Sequence, residues 1–249
     1  MPYHDHRSHT PRAVAASRSD ATRRTVLGGL ALAGAAALWL AAPQAHAQDG
    51  AATTMPADAP TMASEPGAAR AIFAGGCFWC VEADFDKVRG VKSTVSGYIG
   101  GSTDNPTYKN HTAGGHREAV EIVYDPAEVT YDQLLDVFWT SVDPTDADGQ
   151  FCDRGFSYST AIYAVDEEQL REAQASKDEY APKLAEPIAT EIVMAPKFFP
   201  AEDYHQNYYR KNPIRYAYYR RACDRNDTVE DVWGEAAYAG LEQFKAEKS

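Results

Sequence analysis

Apolar positions along the chain fall into three kinds of pattern. Val26 to Ala42 is an apolar run without charge, rich in Ala, Gly and Leu. Residues 48–69 show no periodicity. From Arg70 onward, short apolar runs alternate with helical stripes. Ala71–Ala74 reads as a strand ended by Gly75-Gly76, and Phe78, Val81, Phe85 and Val88 recur at helical spacing until Gly90. Val91–Ile99 and Arg117–Tyr124 read as strands. Gly100–Gly115, rich in Gly, Pro, Asn and Thr, reads as the loop between them. Tyr131–Trp139 is predicted helical, Asp143–Tyr158 a second long loop, Thr160–Val165 a strand, Glu167–Tyr180 a charged helix and Ile188–Met194 a last strand. The stretch from Lys197 to Arg221 is aromatic-rich and reads as irregular, with a short helix near Asp203–Arg210. The tail from Thr228 reads as a peripheral helix. The order β-α-β-β-α-β followed by α-β predicts an α+β fold, a ferredoxin-like α/β sandwich with long active-site loops and an irregular aromatic-rich C-terminal segment. Two long loops exceed what packing requires and are candidates for a site.

The first 47 residues read as an export signal. Five Arg and two Asp precede the apolar run, and Ala45-His46-Ala47 follows it as a small-residue cleavage pattern. Arg23-Arg24 directly before the run resembles a twin-arginine signal. The competing reading is a membrane anchor, but about 17 weakly hydrophobic residues lie at the short limit for spanning. The expectation is residues 1–47 as a twin-arginine signal, 48–69 as a flexible linker and 70–249 as the domain. Cleavage near Ala47 would give a periplasmic or otherwise exported bacterial protein without stable membrane insertion.

Charge narrows the partners. The chain carries −12, and without residues 1–47 the 19 Lys and Arg face 34 Asp and Glu, a net −15. An acidic domain repels nucleic acid and anionic membrane. All four cysteines, Cys77, Cys80, Cys152 and Cys223, follow the signal. In an oxidising compartment an even count first indicates structural disulfides, so local sequence must argue otherwise.

Gly75-Gly76-Cys77-Phe78-Trp79-Cys80 makes that argument. Cys77 sits where a strand gives way to a helix, and free N–H groups and the helix dipole there favour an anion. A lowered thiol pKa is expected. Phe78 begins the apolar stripe and reads as core at least as well as a substrate contact. Trp79 has Glu82, Ala83 and Asp86 as helical neighbours, a polar face, so a large aromatic there is exposed or lies in a cleft. Cys80, one turn after Cys77, can close a disulfide with it. Glu118 alternates with Val120, Ile122 and Tyr124 on an apolar strand face. Burial there favours its protonated form and a role as hydrogen-bond donor or general acid. The plainer reading is that Glu118, at the strand's start, reaches water.

Gly76-Cys77-Phe78-Trp79, Asn105-Pro106-Thr107-Tyr108, Gly115-His116-Arg117-Glu118-Ala119-Val120 and Cys152-Asp153-Arg154-Gly155 with Tyr158 resemble, in order, the signature blocks of A-type peptide methionine sulfoxide reductases. Ala201-Glu202-Asp203-Tyr204-His205-Gln206 resembles a further block. The resemblance spans about residues 70–234. It implies that Cys77 attacks the sulfoxide sulfur and that Phe78 and Trp79 hold the methyl group. It implies that Glu118 donates a proton to the oxygen with help from Tyr108 and Tyr158, and that Asp153 orders the site. It further implies action on the S epimer, oxidised proteins or peptides as substrates, recycling by a thioredoxin-fold dithiol donor, and no metal or organic cofactor. Two departures stand out. The glycine-rich C-terminal segment with resolving cysteines is absent, and Ser159 follows Tyr158 where Arg is common. The resolving thiol is therefore open, with Cys80 ranked first, Cys223 second and Cys152 third. The alternatives are a thiol–disulfide oxidoreductase using Cys77/Cys80, a disulfide-stapled binding domain, and a zinc domain. The zinc reading lacks a second closely spaced cysteine pair.

Overall fold

The computed structural model describes residues 67–247. The expected signal, its paired arginines and nearly all of the linker lie outside the described residues. Within them the strands are β1 (Ala69–Ala74), β2 (Val91–Ile99), β3 (Arg117–Tyr124), β4 (Gly149–Gln150), β5 (Asp153–Arg154), β6 (Ala161–Ala164), β7 (Glu191–Met194) and β8 (Phe198–Pro200). The helices are α1 (Phe78–Phe85), α2 (Tyr131–Trp139), α3 (Glu167–Tyr180), α4 (Tyr208–Lys211), α5 (Pro213–Ala222), α6 (Arg225–Trp233) and α7 (Ala239–Phe244). No helix among the described residues is long and apolar enough to cross a membrane.

Six strands form one sheet in the order β7-β6-β1-β3-β2-β8. The four inner strands pair antiparallel, β7 joins β6 in parallel, and β8 pairs antiparallel with β2. The fold is thus α+β with a mixed sheet: five of its six strands fall on strands expected, with β7 inside Ile188–Met194, and β8 is the added edge strand. β3 lies between β1 and β2 and is buried along its whole length, and its three charged side chains are each hydrogen-bonded there, Arg117 to Ser159, Glu118 to the Phe78 N–H and Glu121 to Arg70. One face of the sheet carries the main core, where Phe73 stacks between Phe85 and Phe138 at 5.3 and 5.1 Å. The other face carries a smaller cluster of Ile72, Ala74, Ile99, Ala119, Ala161 and Tyr163.

The helix starts follow local chemistry. Thr130 and Gln133 form a reciprocal capping box at α2. The Asp166 carboxylate accepts the Gln169 N–H at α3, with Glu167 and Glu168 in the first turn where the dipole favours them.

The C-terminal third departs most from expectation. Lys197–Arg221 is not irregular: it holds β8, α4 and most of α5. Nor is the tail peripheral. Val229, Trp233 and Leu241 are buried, and the Trp233 indole donates to the Val142 carbonyl at 2.8 Å. The Tyr238 N–H reaches the Thr140 carbonyl at 2.8 Å, which places α7 across α2. The reason lies in α1. Its expected polar side, Glu82, Ala83 and Asp86, is covered: Glu82 and Ala83 are buried, and the Lys197–Arg221 segment supplies the cover, the Asn207 N–H donating to Glu82 and the Tyr209 hydroxyl to Asp86.

The seat of α7 depends on Gly240. A Cβ there would meet the Asp136 backbone at 2.5–2.6 Å. Gly240→Ala should lower stability by about 1–3 kcal/mol through overpacking, read as a lower urea midpoint at unchanged slope. An unchanged midpoint would mean that α7 does not close onto α2.

Candidate active site

Cys77 is the N-cap residue of α1, and Phe78 opens the helix. Gly76 before it holds φ +83°, a conformation L side chains rarely adopt, and a Cβ there would strike the Gln150 side chain at 2.6 Å. Glu118 faces this turn from the first positions of β3, in register with Tyr98 of β2. It is 2% exposed, so it does not reach water. Its Oε2 accepts the Phe78 N–H at 3.0 Å, and its Oε1 lies 3.8 Å from His111 Nε2. Burial pushes its carboxyl up to about 8, and the charges of Asp153 and Cys80 add to the rise, against the Phe78 and Tyr158 hydrogen bonds. The group is therefore a neutral acid at pH 7, with a proton to give.

Cys77, Phe78, Trp79, Tyr108, Glu118, Asp153, Tyr158 and Tyr219 line one cavity of about 50 Å³. Seven of these were read from the sequence, and the long loops deliver three of them. The cavity holds only a few water-sized groups, which suits the end of a side chain. Phe78 serves both readings made of it: it is 1% exposed in the core yet forms part of the wall.

Trp79 lies in a cleft of aromatic rings. It stacks on Tyr208 at 3.7 Å with planes 7° apart, and its indole N–H donates to His205 Nδ1 at 3.1 Å. Burial holds His205 down to about 4, so the ring is neutral and can accept. Glu202 accepts the Tyr98 hydroxyl at 2.9 Å and the Tyr108 N–H at 3.0 Å, fixing the loop that carries Tyr108. The Ala201–Gln206 block is thus a clamp on both walls of the cavity. Sequence reading found the block but gave its residues no role.

Tyr219 of α5 was missed. Its hydroxyl donates to Asp153 and also meets the Cys77 sulfur. Only the crowding of tyrosines at 216–219 pointed to it, and that segment was read as irregular. The arginine expected after Tyr158 is replaced in space as well as in sequence: Ser159 Oγ accepts Arg117 Nε at 2.8 Å, and the Arg117 guanidinium sits 4.1 Å from the Phe156 ring.

The thiols correct one expectation. Cys77 is buried, and desolvation together with Cys80 and Glu118 raises its pKa rather than lowering it. Its neighbour carries the acidity. Cys80 is lowered to about 7 by a hydrogen bond from Cys77 and, against burial, by Arg225 and Arg220. Charge is therefore disfavoured on Cys77 and favoured on Cys80. Cys152 and Cys223, the two lower-ranked resolving candidates, are joined to each other in a disulfide, while Cys77 and Cys80 are free. That pairing does not fit a four-thiol zinc site. Cys152, Asp153 and Cys223 do bring ligand atoms within 4.8 Å, but with both sulfurs bonded only the Asp153 carboxylate remains a strong donor.

A free thiol sharing a small aromatic cavity with a neutral buried acid, with a second free thiol one turn along the helix, defines a thiol-dependent oxidoreductase. The comparisons specify the family. The family model for peptide methionine sulfoxide reductase matches residues 69–237. The chain is 56% identical over 182 residues to peptide methionine sulfoxide reductase MsrA 2 of Rhizobium meliloti, covering 73% of this chain and 91% of that one. It is 46% identical over 168 residues to the Bacillus subtilis MsrA, covering 66% and 95%. Among solved structures, methionine sulfoxide reductase A of Corynebacterium diphtheriae superposes with a TM-score of 0.58 at 38% identity, covering 61% of this chain and 78% of that one. The chain belongs to the peptide methionine sulfoxide reductase family.

Glu118 gives a pH signature. Its folded pKa is raised from 4.5 to about 8. Its stabilising contribution is therefore complete below about 4.5 and is lost as pH rises through 8. Substrate turnover in the first step should fall across the same upper limb. Glu118→Gln should slow that step by ~10²–10⁴-fold, abolish the limb and make the protein less sensitive to alkali. Single-turnover rates and urea midpoints between pH 5 and 9 check both. An alkaline limb that survives in the variant would assign it to another group.

Proposed function

We propose that this chain reduces methionine sulfoxide, of the S epimer, in oxidised proteins and peptides, with Cys77 as nucleophile and Glu118 as acid. The observation that carries the reading is the neutral Glu118 carboxyl sharing a small aromatic cavity with the Cys77 thiol. A sulfoxide sulfur is a poor electrophile until its oxygen is protonated or hydrogen-bonded, and an acid held neutral at pH 7 supplies that proton. Cys77 loses its proton to the Cys80 thiolate as its sulfur bonds to the sulfoxide sulfur. Glu118 gives its proton to the oxygen. The sulfoxide S–O bond and the transient S–S bond break as the oxygen bonds to the Cys77 sulfur to give a sulfenic acid, and methionine leaves with the electron pair that the thiolate brought. Phe78 and Trp79 enclose the methyl group, and Tyr108 and Tyr158 extend the acid's hydrogen bonding to the oxygen. Tyr219 and Asp153 hold the cavity wall over the sulfur.

Cys80 then attacks the Cys77 sulfenic acid. A disulfide forms, the S–O bond breaks and water leaves with one proton. A thioredoxin-fold dithiol restores the pair by exchange. The Cys152–Cys223 disulfide, which leaves Cys77 and Cys80 as the free pair, supports taking Cys80 as the resolving thiol. The acidic surface of the domain fits neither nucleic acid nor anionic membrane.

In this reading Cys77→Ser yields no methionine from either epimer, because a hydroxyl is barely ionised at neutral pH. The parent protein with a dithiol consumes the S epimer alone. Chiral analysis of the leftover sulfoxide tests this, and equal loss of both epimers contradicts it. Turnover of insulin-type disulfides without sulfoxide reduction would favour the thiol–disulfide oxidoreductase reading instead.

Export follows from the arginine pair and the weakly hydrophobic run. Changing Arg23 and Arg24 together to Lys should leave uncleaved precursor in the cytoplasm, seen by fractionation. Normal export of that variant would indicate the general secretory route.

A further inference from the structure

Asp153 and Tyr219 both line the cavity beside Cys77, yet they come from segments 66 residues apart. The Tyr219 hydroxyl donates to the Asp153 carboxylate and closes the wall. Neither carrier is held there by apolar packing. Asp153 belongs to the β4–β5 hairpin, which has two residues per strand and forms a sheet of its own. Such a hairpin is marginal by itself. Gln150 anchors β4 on the Asp143 backbone, but neither residue of β5 is buried. α5 has no buried residue at all. Arg220 ties α5 to Asp84 of α1, a bond that leaves its distance from the hairpin unset.

The disulfide sits where that distance is decided. Cys152 adjoins Asp153 in the tip of the hairpin, between the paired residues Gln150 and Asp153. Cys223 is the C-cap of α5, one turn beyond Tyr219, and its N–H donates to the Tyr219 carbonyl at 3.0 Å. The Cys152–Cys223 bond therefore completes a small ring that runs through Tyr219 and Asp153. Among the described residues, this bond and the Tyr219–Asp153 hydrogen bond are the covalent and hydrogen-bonded links between α5 with its cap and the hairpin. A covalent link beside a hydrogen bond keeps its two partners at high effective concentration. The disulfide itself faces elsewhere. Cys152 and Cys223 line a separate open cavity of about 380 Å³ whose walls do not include Cys77 or Cys80. Cys152 is exposed, so a dithiol in solution can reach the bond.

We propose that the Cys152–Cys223 disulfide is a positioning cross-link for sulfoxide reduction: it holds the Asp153–Tyr219 wall against Cys77 and takes no part in the thiol cycle itself. This rests on the sulfoxide reductase reading. The hairpin and α5 bring the two wall residues near each other, and the covalent bond fixes them at the spacing the cavity needs.

The test is a single turnover of the full chain with methionine sulfoxide, in two states of the parent protein: bond intact and bond cleaved. A dithiol cleaves the bond by exchange. Its thiolate bonds to the Cys152 sulfur, and Cys223 leaves as a thiolate that takes a proton. The second dithiol sulfur then closes on the first and releases Cys152, so two electrons pass to the cysteines and the dithiol becomes a cyclic disulfide. The dithiol is removed without oxygen, and the masses of alkylated peptides report the bond. Cys77 and Cys80 are thiols in both states. The cleaved form should release its first methionine roughly ten- to a hundredfold more slowly, the scale of a small misplacement at a reacting group. Cys152→Ser with Cys223→Ser should match the cleaved form and continue to turn over, at that lower rate, when dithiol is supplied. Tyr219→Phe should slow the intact form and have little effect on the cleaved form, because both changes remove the same contact.

A bond that serves stability alone would leave the rate of the folded protein unchanged, so equal rates in the two states overturn the proposal. Additive effects of Tyr219→Phe and cleavage overturn it as well. So does a double variant that makes its first methionine at the parent rate and then stops despite dithiol, which would make the disulfide a relay in the cycle. If the intact parent releases no methionine, the reductase reading fails instead. The comparison of the two parent states decides the matter if the double variant does not fold.

Discussion

The site depends on one carboxyl group kept out of water. Glu118 belongs to a strand buried on both faces, and the N–H of Phe78 at the start of α1 is bound to it. That bond ties the central strand to the nucleophile's turn. The same burial that makes the carboxyl a neutral acid also fixes where the helix begins, so acidity and geometry have a common origin. Removing water from this spot takes the Tyr98, His111 and Phe78 rings on one side and the C-terminal segment on the other. The rest of the chain can be understood as what it takes to keep that corner dry.

Electrostatics divides the labour between the two free thiols. A helix start ordinarily favours a thiolate, yet Cys77 sits in a cavity whose desolvation and neighbouring acid oppose charge. One turn later, a hydrogen bond from Cys77 and the charges of Arg225 and Arg220 favour a thiolate on Cys80. Negative charge is thus disfavoured on Cys77 and favoured on Cys80.

How far the sequence could be read follows from where the information lay. Arg117–Tyr124, Val91–Ile99, Tyr131–Trp139 and Glu167–Tyr180 were legible because periodicity and caps there are local. Glu118 was legible because a lone carboxylate breaks an apolar alternation. The second face of α1 was not. Glu82 and Asp86 read as part of a polar face beside Trp79, but Glu82 accepts the Asn207 N–H and Asp86 the Tyr209 hydroxyl, while Asp84 of the same helix holds Arg220. Their partners lie more than 120 residues away, and PIRYAYYRRA has no apolar stripe to announce that it packs. A helix that docks through ion pairs and tyrosine hydroxyls leaves no hydrophobic period to find. The same blindness hid Tyr219 and Arg225. It also left the thiol order inverted, because a helix start is visible in sequence whereas desolvation from a distant segment is not.

The central claim is that Glu118 is neutral at the pH where the enzyme works. Labelling the glutamate side-chain carboxyl carbons with carbon-13 and following them by NMR from pH 4 to 10 reads that state directly, with Glu118→Gln assigning the resonance. The account predicts a midpoint near 8, with the protonated chemical shift dominant at pH 7. A midpoint near the ordinary 4.5, with Glu118 ionised throughout the neutral range, would contradict it.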